Sequence, residues 1–212
     1  MGAARRTALW SVLAAIALLG LKLGAGFAAN SLGLVSEGLH SGTDLVAAIL
    51  TFFALGVAGR PADDSHPWGH GKAEHLAALA ECLILVVASI LIAVTAIRRL
   101  VDRNPPEVDA AWWAFAVLGI VIVIDIARTV ASARAARAHS SPALRSNALH
   151  FGGDLAGTTA VIVGLILVRS GYPKADAIAA LFVAALVVIA AGRLASANVH
   201  VLMDRTSDDA EA

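Results

Sequence analysis

Six stretches of this chain are each long and apolar enough to cross the hydrocarbon core of a membrane as an α-helix, which takes about 20 residues. They are continuous apolar runs, unlike the short alternating segments of membrane β-strands. The sequence therefore predicts an all-α membrane protein, a bundle of six transmembrane helices. The approximate bounds of the six helices are 8–29, 32–58, 74–98, 111–131, 146–169 and 175–196.

The composition fits a chain that lies in a lipid bilayer. Apolar residues make up 58% of the 212 residues and charged residues only 15%, which is far from the balance of a soluble domain. Sixteen basic and sixteen acidic residues give a formal net charge of zero. Such a chain has no overall basic surface for nucleic acid, so we expect no nucleic-acid partner.

The distribution of Lys and Arg predicts the orientation of the helices. An even number of crossings places both termini on one side, and the side richer in basic residues is the cytoplasmic one. The termini and two of the loops share this richer side, so we expect both termini in the cytoplasm. The basic residues there are Arg5, Arg6, Arg60, Lys72, Arg134, Arg137, Arg145 and Arg205, against Arg98, Arg99, Arg103 and Lys174 on the other side.

One polar motif occurs twice within the apolar stretches. The second stretch contains L39-H-S-G-T-D-L45 and the fifth contains L149-H-F-G-G-D-L155. Residues four apart share a helix face, so each helix offers one imidazole and one carboxylate together. An ionisable side chain at membrane depth costs about 2.5–3.5 kcal/mol on insertion scales and usually has a functional role with a nearby partner.

The two motifs are natural partners for each other. The second and fifth helices run in opposite directions, so as neighbours they would place His40 against Asp154 and Asp44 against His150. A single histidine in a membrane helix is more often a packing residue, but two matching pairs form an N2O2 ligand set of the kind that closes a tetrahedron around Zn²⁺. We therefore predict a divalent-metal site made of these four residues.

The loop after the second helix, D63-D-S-H-P-W-G-H-G-K-A-E74, offers a second ligand set. Asp63, His66 and His70 supply one oxygen and two nitrogen donors in a turn-forming stretch, enough for a three-ligand site open to water. The alternative is a solvated polar loop whose histidines cap the start of the third helix. The residues alone leave both interpretations open.

The two HxxxD motifs, together with HPWGHGKAE in this loop, resemble the cation diffusion facilitator family of divalent-metal/proton antiporters over residues 8–205. The resemblance implies that the paired motifs are the transport site, in a version similar to that of zinc-transporting members. Manganese-type members are expected to have carboxylates at both positions of the second helix, which His40 does not fit. It also implies a secondary metal site in the loop and a homodimer that Lys72 helps to hold.

The remaining charges within the apolar stretches have simpler explanations. Lys22 and Glu37 stand at similar distances from the first turn, so they are expected to form an ion pair. Asp125 is expected to neutralise Arg128, three residues later on the fourth helix. Glu81 has no evident partner and is either a water-facing pathway residue or a proton carrier.

Members of the family continue after the sixth helix into a soluble cytoplasmic domain. Here the sequence stops soon after L202-M-D-R205, with a short acidic tail at 206–212 that is too short to bury a core. We therefore expect one transmembrane domain over residues 1–205 and no C-terminal soluble domain. A natural form without that domain and a truncated chain are both compatible with this expectation.

The sequence predicts a Zn²⁺/proton antiporter that exports metal from the cytoplasm by alternating access, in a bacterial inner membrane. Protons and metal compete for the same imidazole and carboxylate groups, which couples their movements. Cd²⁺, Co²⁺ or Fe²⁺ are possible substrates as well, since ligand type alone does not decide the metal. An enzyme is not expected, because the HExxH motif of metallohydrolases is missing. The alternative is a membrane zinc sensor or structural subunit without transport.

Overall fold

The computed structural model describes the backbone of residues 3–139 and 142–203, which is helical apart from its turns and loops. The acidic tail predicted at 206–212 lies outside the described residues. Side chains are described from residue 16 onward, except at 47–48, 51–52, 55, 132, 135–136 and 138–149. The six helices of the described part are α1 (Ala3–Ala28), α2 (Leu32–Ala58), α3 (Ala73–Val101), α4 (Trp112–His139), α5 (Pro142–Arg169) and α6 (Ala175–Leu202).

Within the described residues, four helical segments are long and apolar enough to cross a membrane, and the apolar part of α1, Ile16–Ala28, is shorter. Large apolar side chains point outward all along α3, where Leu83, Ile90 and Leu91 are each more than half exposed. Such an outer surface suits lipid and not water. The four segments are Ala73–Val101, Trp112–Ala131, His150–Arg169 and Ala175–Leu202.

Helix α2 lies at the centre of the bundle. It packs against α1, α3, α5 and α6, while α3 packs closely on α6 and α4 on α5. Leu34 and Glu37 of α2 are almost completely buried, and Leu118, Val161 and Leu165 of α4 and α5 complete the main apolar core. The central position brings one of the two HxxxD motifs into contact with several helices at once.

The predicted ion pair of the first two helices is confirmed. Lys22 Nζ lies 3.1 Å from Glu37 Oε2, with both side chains almost fully buried. The predicted pairing of Asp125 with Arg128 is wrong: among the described residues no ion pair joins them. Arg128 instead lies over the ring of Phe151, 4.1 Å from its centroid, and gains a cation–π contact. Asp125 turns inward, where its Oδ2 lies 3.2 Å from Thr158 Oγ1.

The opposite end of the bundle from the 59–72 loop is held by a carboxylate of α6. Asp176, only 1% exposed, accepts hydrogen bonds from the Ser31 hydroxyl (2.5 Å) and from the backbone N–H groups of Leu32 (2.6 Å) and Gly33 (3.2 Å). It therefore caps the N-terminus of α2 from another helix, where a negative charge is favoured. Arg99 of α3 lies 3.8 Å away, so this carboxylate connects α2, α3 and α6.

Replacement of this carboxylate should destabilise the bundle. In Asp176→Ala, the buried N–H groups of α2 lose their acceptor and Arg99 loses a counter-charge, which we expect to cost about 3 kcal/mol. The measurement is the thermal unfolding midpoint of the purified protein in detergent. Asp102→Ala is the matched control, because Asp102 is an exposed acid at the end of α3. Equal midpoints for the two variants would show that Asp176 does not hold the helices together.

Candidate metal centre

Helices α2 and α5 bring the two HxxxD motifs together. His40 Nε2 lies 3.1 Å from Asp154 Oδ1, and His150 Nε2 lies 3.6 Å from Asp44 Oδ2. This is the cross-facing arrangement that two antiparallel neighbours predict. His150 Nε2 is also 4.0 Å from Asp154 Oδ2, so the two pairs form one cluster.

The spacing of the donor atoms suits a single ion. One ligand atom each from His40, His150 and Asp154 lies within 4.8 Å of the others, and Asp44 adjoins them through His150. Donors bound to a tetrahedral Zn²⁺ stand roughly 3.4 Å apart, as bond lengths of about 2.0–2.1 Å require. Movements of about 1 Å per side chain would therefore bring the donors of His40, His150 and Asp154 to this spacing.

The two halves of the cluster differ in exposure. The side chains of His40 and Asp154 are 15% and 9% exposed, whereas those of His150 and Asp44 are 44% and 37% exposed. Asp44 is nearer than His40 to the end of α2 that leads into the 59–72 loop, and His150 is nearer than Asp154 to the start of α5. The more exposed half thus faces the loop end of the bundle.

A cavity of about 240 Å³ adjoins the cluster between α2, α5 and α6. His40, His150 and Asp154 line it, as do Glu37 and Arg193. Arg193 belongs to the last third of α6, which runs toward the loop end. The cavity therefore extends from the cluster toward Arg193 on one side and Glu37 on the other.

Glu81, whose role the sequence leaves open, belongs to the surroundings of this cluster. It lies on α3, is partly buried, and interacts electrostatically with Asp44 and His150. Glu81 therefore adds a carboxylate on the more exposed side of the cluster. Sequence reasoning did not identify Arg193 or Thr158 near the site, since a lone arginine near a helix end and a lone threonine give no motif.

The loop also gathers its three predicted residues. His66 Nδ1 lies 3.3 Å from Asp63 Oδ1, and His70 Nε2 lies 3.5 Å from Asp63 Oδ2. The centroids of the two imidazole rings are 4.3 Å apart, and ligand atoms of all three residues fall within 4.8 Å. Both histidines thus contact Asp63, and Lys72 stands at the N-cap of α3 without a side-chain cap hydrogen bond.

Local hydrogen bonds keep Asp63 ionised. The Ser65 hydroxyl donates to its Oδ1 at 2.7 Å, and the backbone N–H of His66 donates to the same oxygen at 2.7 Å. These bonds favour the charged form and lower the pKa of Asp63 from 3.8 to about 2. Across the physiological pH range, therefore, Asp63 stays ionised and can serve as an oxygen ligand.

Removal of the Ser65 hydroxyl should raise the pKa of Asp63 toward its usual value, because the largest stabilising contact to the ionised carboxylate is lost. The measurement is the pH dependence of the carboxyl carbon signal of Asp63, by NMR of selectively labelled protein, in the parent and in Ser65→Ala. The signal of the neighbouring exposed acid Asp64 serves as internal reference in both proteins. An Asp63 midpoint that does not move in Ser65→Ala would contradict this explanation.

The fold and the cluster together define the class of protein. It is a helical membrane protein with metal-ligand side chains inside the bundle. The sequence of residues 8–203 matches the cation efflux transmembrane domain. Because the match covers nearly all of the chain, the chain belongs to this family of cation efflux transporters, the cation diffusion facilitators. The resemblance stated from the paired motifs and the HPWGHGKAE loop is thereby confirmed.

Individual relatives agree with the family assignment. The uncharacterized transporter sll1263 of Synechocystis is 34% identical over 209 residues, which are 98% of this chain and 67% of the relative. The cation-efflux pump FieF of Shewanella oneidensis is 32% identical over 199 residues, covering 94% of this chain and 67% of the pump. The cation-efflux pump FieF of Salmonella arizonae is 30% identical over 209 residues, with coverage of 97% and 68%.

Proposed function

We propose that this protein exports a divalent metal cation, foremost Zn²⁺, from the cytoplasm in exchange for protons. The observation that carries the proposal is the cross-facing of the two motifs in a chain of the cation efflux family. Relatives that carry the name cation-efflux pump support the export direction. The proposed transport site consists of His40, Asp44, His150 and Asp154.

The topology of the proposal has six crossings, with both termini and the 59–72 loop in the cytoplasm. The excess of Lys and Arg on that side supports it. The more exposed half of the cluster lies toward this end, which suits loading from the cytoplasm. Asp63, His66 and His70 would then lie at the entrance, where they would capture metal before it enters the bundle.

Competition between protons and metal is the basis of the proposed exchange. A metal ion needs neutral imidazole and ionised carboxylate, and the close contact of His40 with Asp154 suits a protonated imidazole in the absence of metal. Binding of Zn²⁺ expels protons from the ligands, and protonation on the opposite side releases the metal. Rocking of helices around a site that stays near the membrane midplane then suffices for transport.

A bacterial inner membrane is the proposed location, since the relatives named above are bacterial. A homodimer is the proposed assembly, because the sequence of the loop resembles that of the family and this resemblance implies a homodimer. Lys72, the residue expected to help hold the dimer, donates a hydrogen bond to the backbone oxygen of Leu202 at 3.3 Å. Lys72 therefore joins the loop to the end of α6 within the chain.

Transport is tested with purified protein in lipid vesicles by following Zn²⁺ uptake with and without an imposed pH gradient. We expect gradient-dependent uptake in the parent, and in His40→Ala and Asp154→Ala a fall to the rate of protein-free vesicles, because each variant removes one ligand of the buried half. Zn²⁺ binding without flux under any gradient would contradict transport and favour a sensor or structural subunit.

The matched control for these variants is Asp63→Ala, which removes a ligand of the loop and leaves the cluster between α2 and α5 intact. We expect it to retain gradient-dependent uptake and to require higher Zn²⁺ concentrations, because the entrance loses a capture site. Loss of uptake as complete as in His40→Ala would show that the loop is an obligatory part of the pathway.

His40 should also influence the choice of metal. In His40→Asp, one nitrogen ligand is replaced by an oxygen ligand, which favours harder cations such as Mn²⁺ over Zn²⁺. We expect the ratio of Zn²⁺ to Mn²⁺ uptake to fall by roughly 10-fold or more, since the loss of a group that only supports a metal ligand already costs about that much. Uptake of both metals, measured in competition in the same vesicles, gives the ratio. An unchanged ratio would show that His40 does not determine the selectivity.

A further inference from the structure

A second group of charged residues lies inside the bundle beside the candidate transport site. Lys22 of α1, Glu37 of α2 and Asp125 of α4 are 4%, 1% and 4% exposed. None of them belongs to the four proposed ligands. Buried ionisable groups at membrane depth call for a functional explanation or a complete set of partners, so their contacts determine what they do.

The three residues are linked by hydroxyl groups. Lys22 Nζ donates to Glu37 Oε2 at 3.1 Å and to Ser41 Oγ at 3.0 Å. Thr158 Oγ1 of α5 lies 3.3 Å from the same Glu37 oxygen and 3.2 Å from Asp125 Oδ2. Thr158 thus bridges the two carboxyl groups.

If both carboxyl groups are ionised, this network has one hydrogen fewer than its close oxygen–oxygen contacts require. A threonine hydroxyl carries a single hydrogen, yet Thr158 stands within hydrogen-bonding distance of two carboxyl oxygens. Both contacts can be hydrogen bonds at the same time only if one carboxyl group is protonated and donates to the threonine oxygen. Glu37 is already paired with Lys22, so the proton belongs on Asp125.

The charges lead to the same assignment. With both carboxyl groups ionised, the single ammonium group of Lys22 stands against two negative charges: it contacts Glu37 and is also the strongest charge influence on Asp125, so a surplus negative charge is left in the interior. Arg128 on α4 is exposed and occupied with the ring of Phe151, and it contributes the weakest of the electrostatic influences on Asp125. The nearby Asp154 adds further negative charge. A proton on Asp125 removes the surplus.

We infer that Asp125 is a proton-binding site distinct from the metal ligands. It is protonated in the metal-free state and loses its proton when metal binds. The inference rests on the proposed metal/proton exchange. Asp154 stands one helical turn before Thr158 on α5 and interacts electrostatically with Asp125. A divalent cation bound at Asp154 reverses the sign of the local charge, which favours an ionised Asp125.

The bridging hydroxyl gives the proton a path to water. The Asp125 O–H bond breaks as the proton passes to Thr158 Oγ1, while the hydrogen of Thr158 passes to Glu37 Oε2. Glu37 lines the cavity beside the transport site and hands the proton to water there. Asp125 ends ionised, and Thr158 and Glu37 return to their starting protonation states. The metal exchange thus gains a proton in addition to those on the ligands.

The first test is infrared spectroscopy of the metal-free protein in lipid vesicles, near neutral pH, where a protonated carboxyl group gives a separate C=O stretching band. Asp125→Asn should remove one such band, and Asn is close in shape to the protonated acid and can still donate to Thr158. Asp109→Asn, at an exposed acid before α4, should leave the spectrum unchanged. Identical bands in the parent and in Asp125→Asn would overturn the inference.

Thr158→Val and Thr159→Val form a matched pair. Loss of the bridging hydroxyl in Thr158→Val should shift the frequency of the Asp125 band, because its hydrogen-bond partner is gone. Thr159 is exposed and bonds to the backbone of its own helix, so Thr159→Val should leave the band in place. A band that responds equally to both substitutions would overturn the bridge.

The second test is addition of Zn²⁺. In the parent the Asp125 band should decrease on binding, and the protons released per bound Zn²⁺, measured with a pH indicator, should exceed those of Asp125→Asn by about one. A band that persists in the Zn²⁺-bound parent, or equal proton release, would overturn the coupling. Failure of the proposed function is recognised separately, as the lack of Zn²⁺ flux in the parent, whatever the spectra show.

Discussion

A charged side chain inside an apolar helical bundle must find its partner within the bundle, because neither lipid nor the packed core supplies hydrogen bonds. This requirement fixes which helices are neighbours and at what depth they meet. A shift of one helix by a turn would leave several charges unpaired at once, so the pairs together determine the register of neighbouring helices. Among the described side chains, the pairs that join different helices are Lys22 with Glu37, His40 with Asp154, Asp44 with His150, and Arg99 with Asp176.

Most of the fold could be predicted because the apolar stretches are continuous and as long as a membrane is thick. The bounds predicted for the second helix, 32–58, are those of α2 in the structure. The fourth helix was predicted to end at 131, yet α4 continues to His139. The extra turns consist largely of alanine and arginine, which are strong helix formers but not apolar enough to count as membrane-spanning. Apolar length thus predicts where a helix crosses lipid and not where it ends.

The candidate site was predictable for a different reason. Two copies of one motif, on helices of opposite direction, leave few ways for their side chains to meet, and the structure shows His40 against Asp154. The role of Asp176 was not predictable, because the N–H groups that it caps lie 143 and 144 residues away. The pairing of Asp125 with Arg128 failed since spacing on one helix says nothing about Phe151, an aromatic ring on another helix that competes for the arginine.

The unequal exposure of the two halves of the cluster gives the proposed loading an order. A cation that arrives from the loop end would meet the more exposed Asp44 and His150 first, while it still keeps water on its other side. It is then dehydrated in steps, since each protein donor replaces a water before the next is lost. His40 and Asp154 contact each other at 3.1 Å, so the final step separates an existing pair and replaces it with two bonds to the metal. In the proposed exchange, protonation of His40 would restore the pair, which would make release favourable wherever protons are more available than the cation.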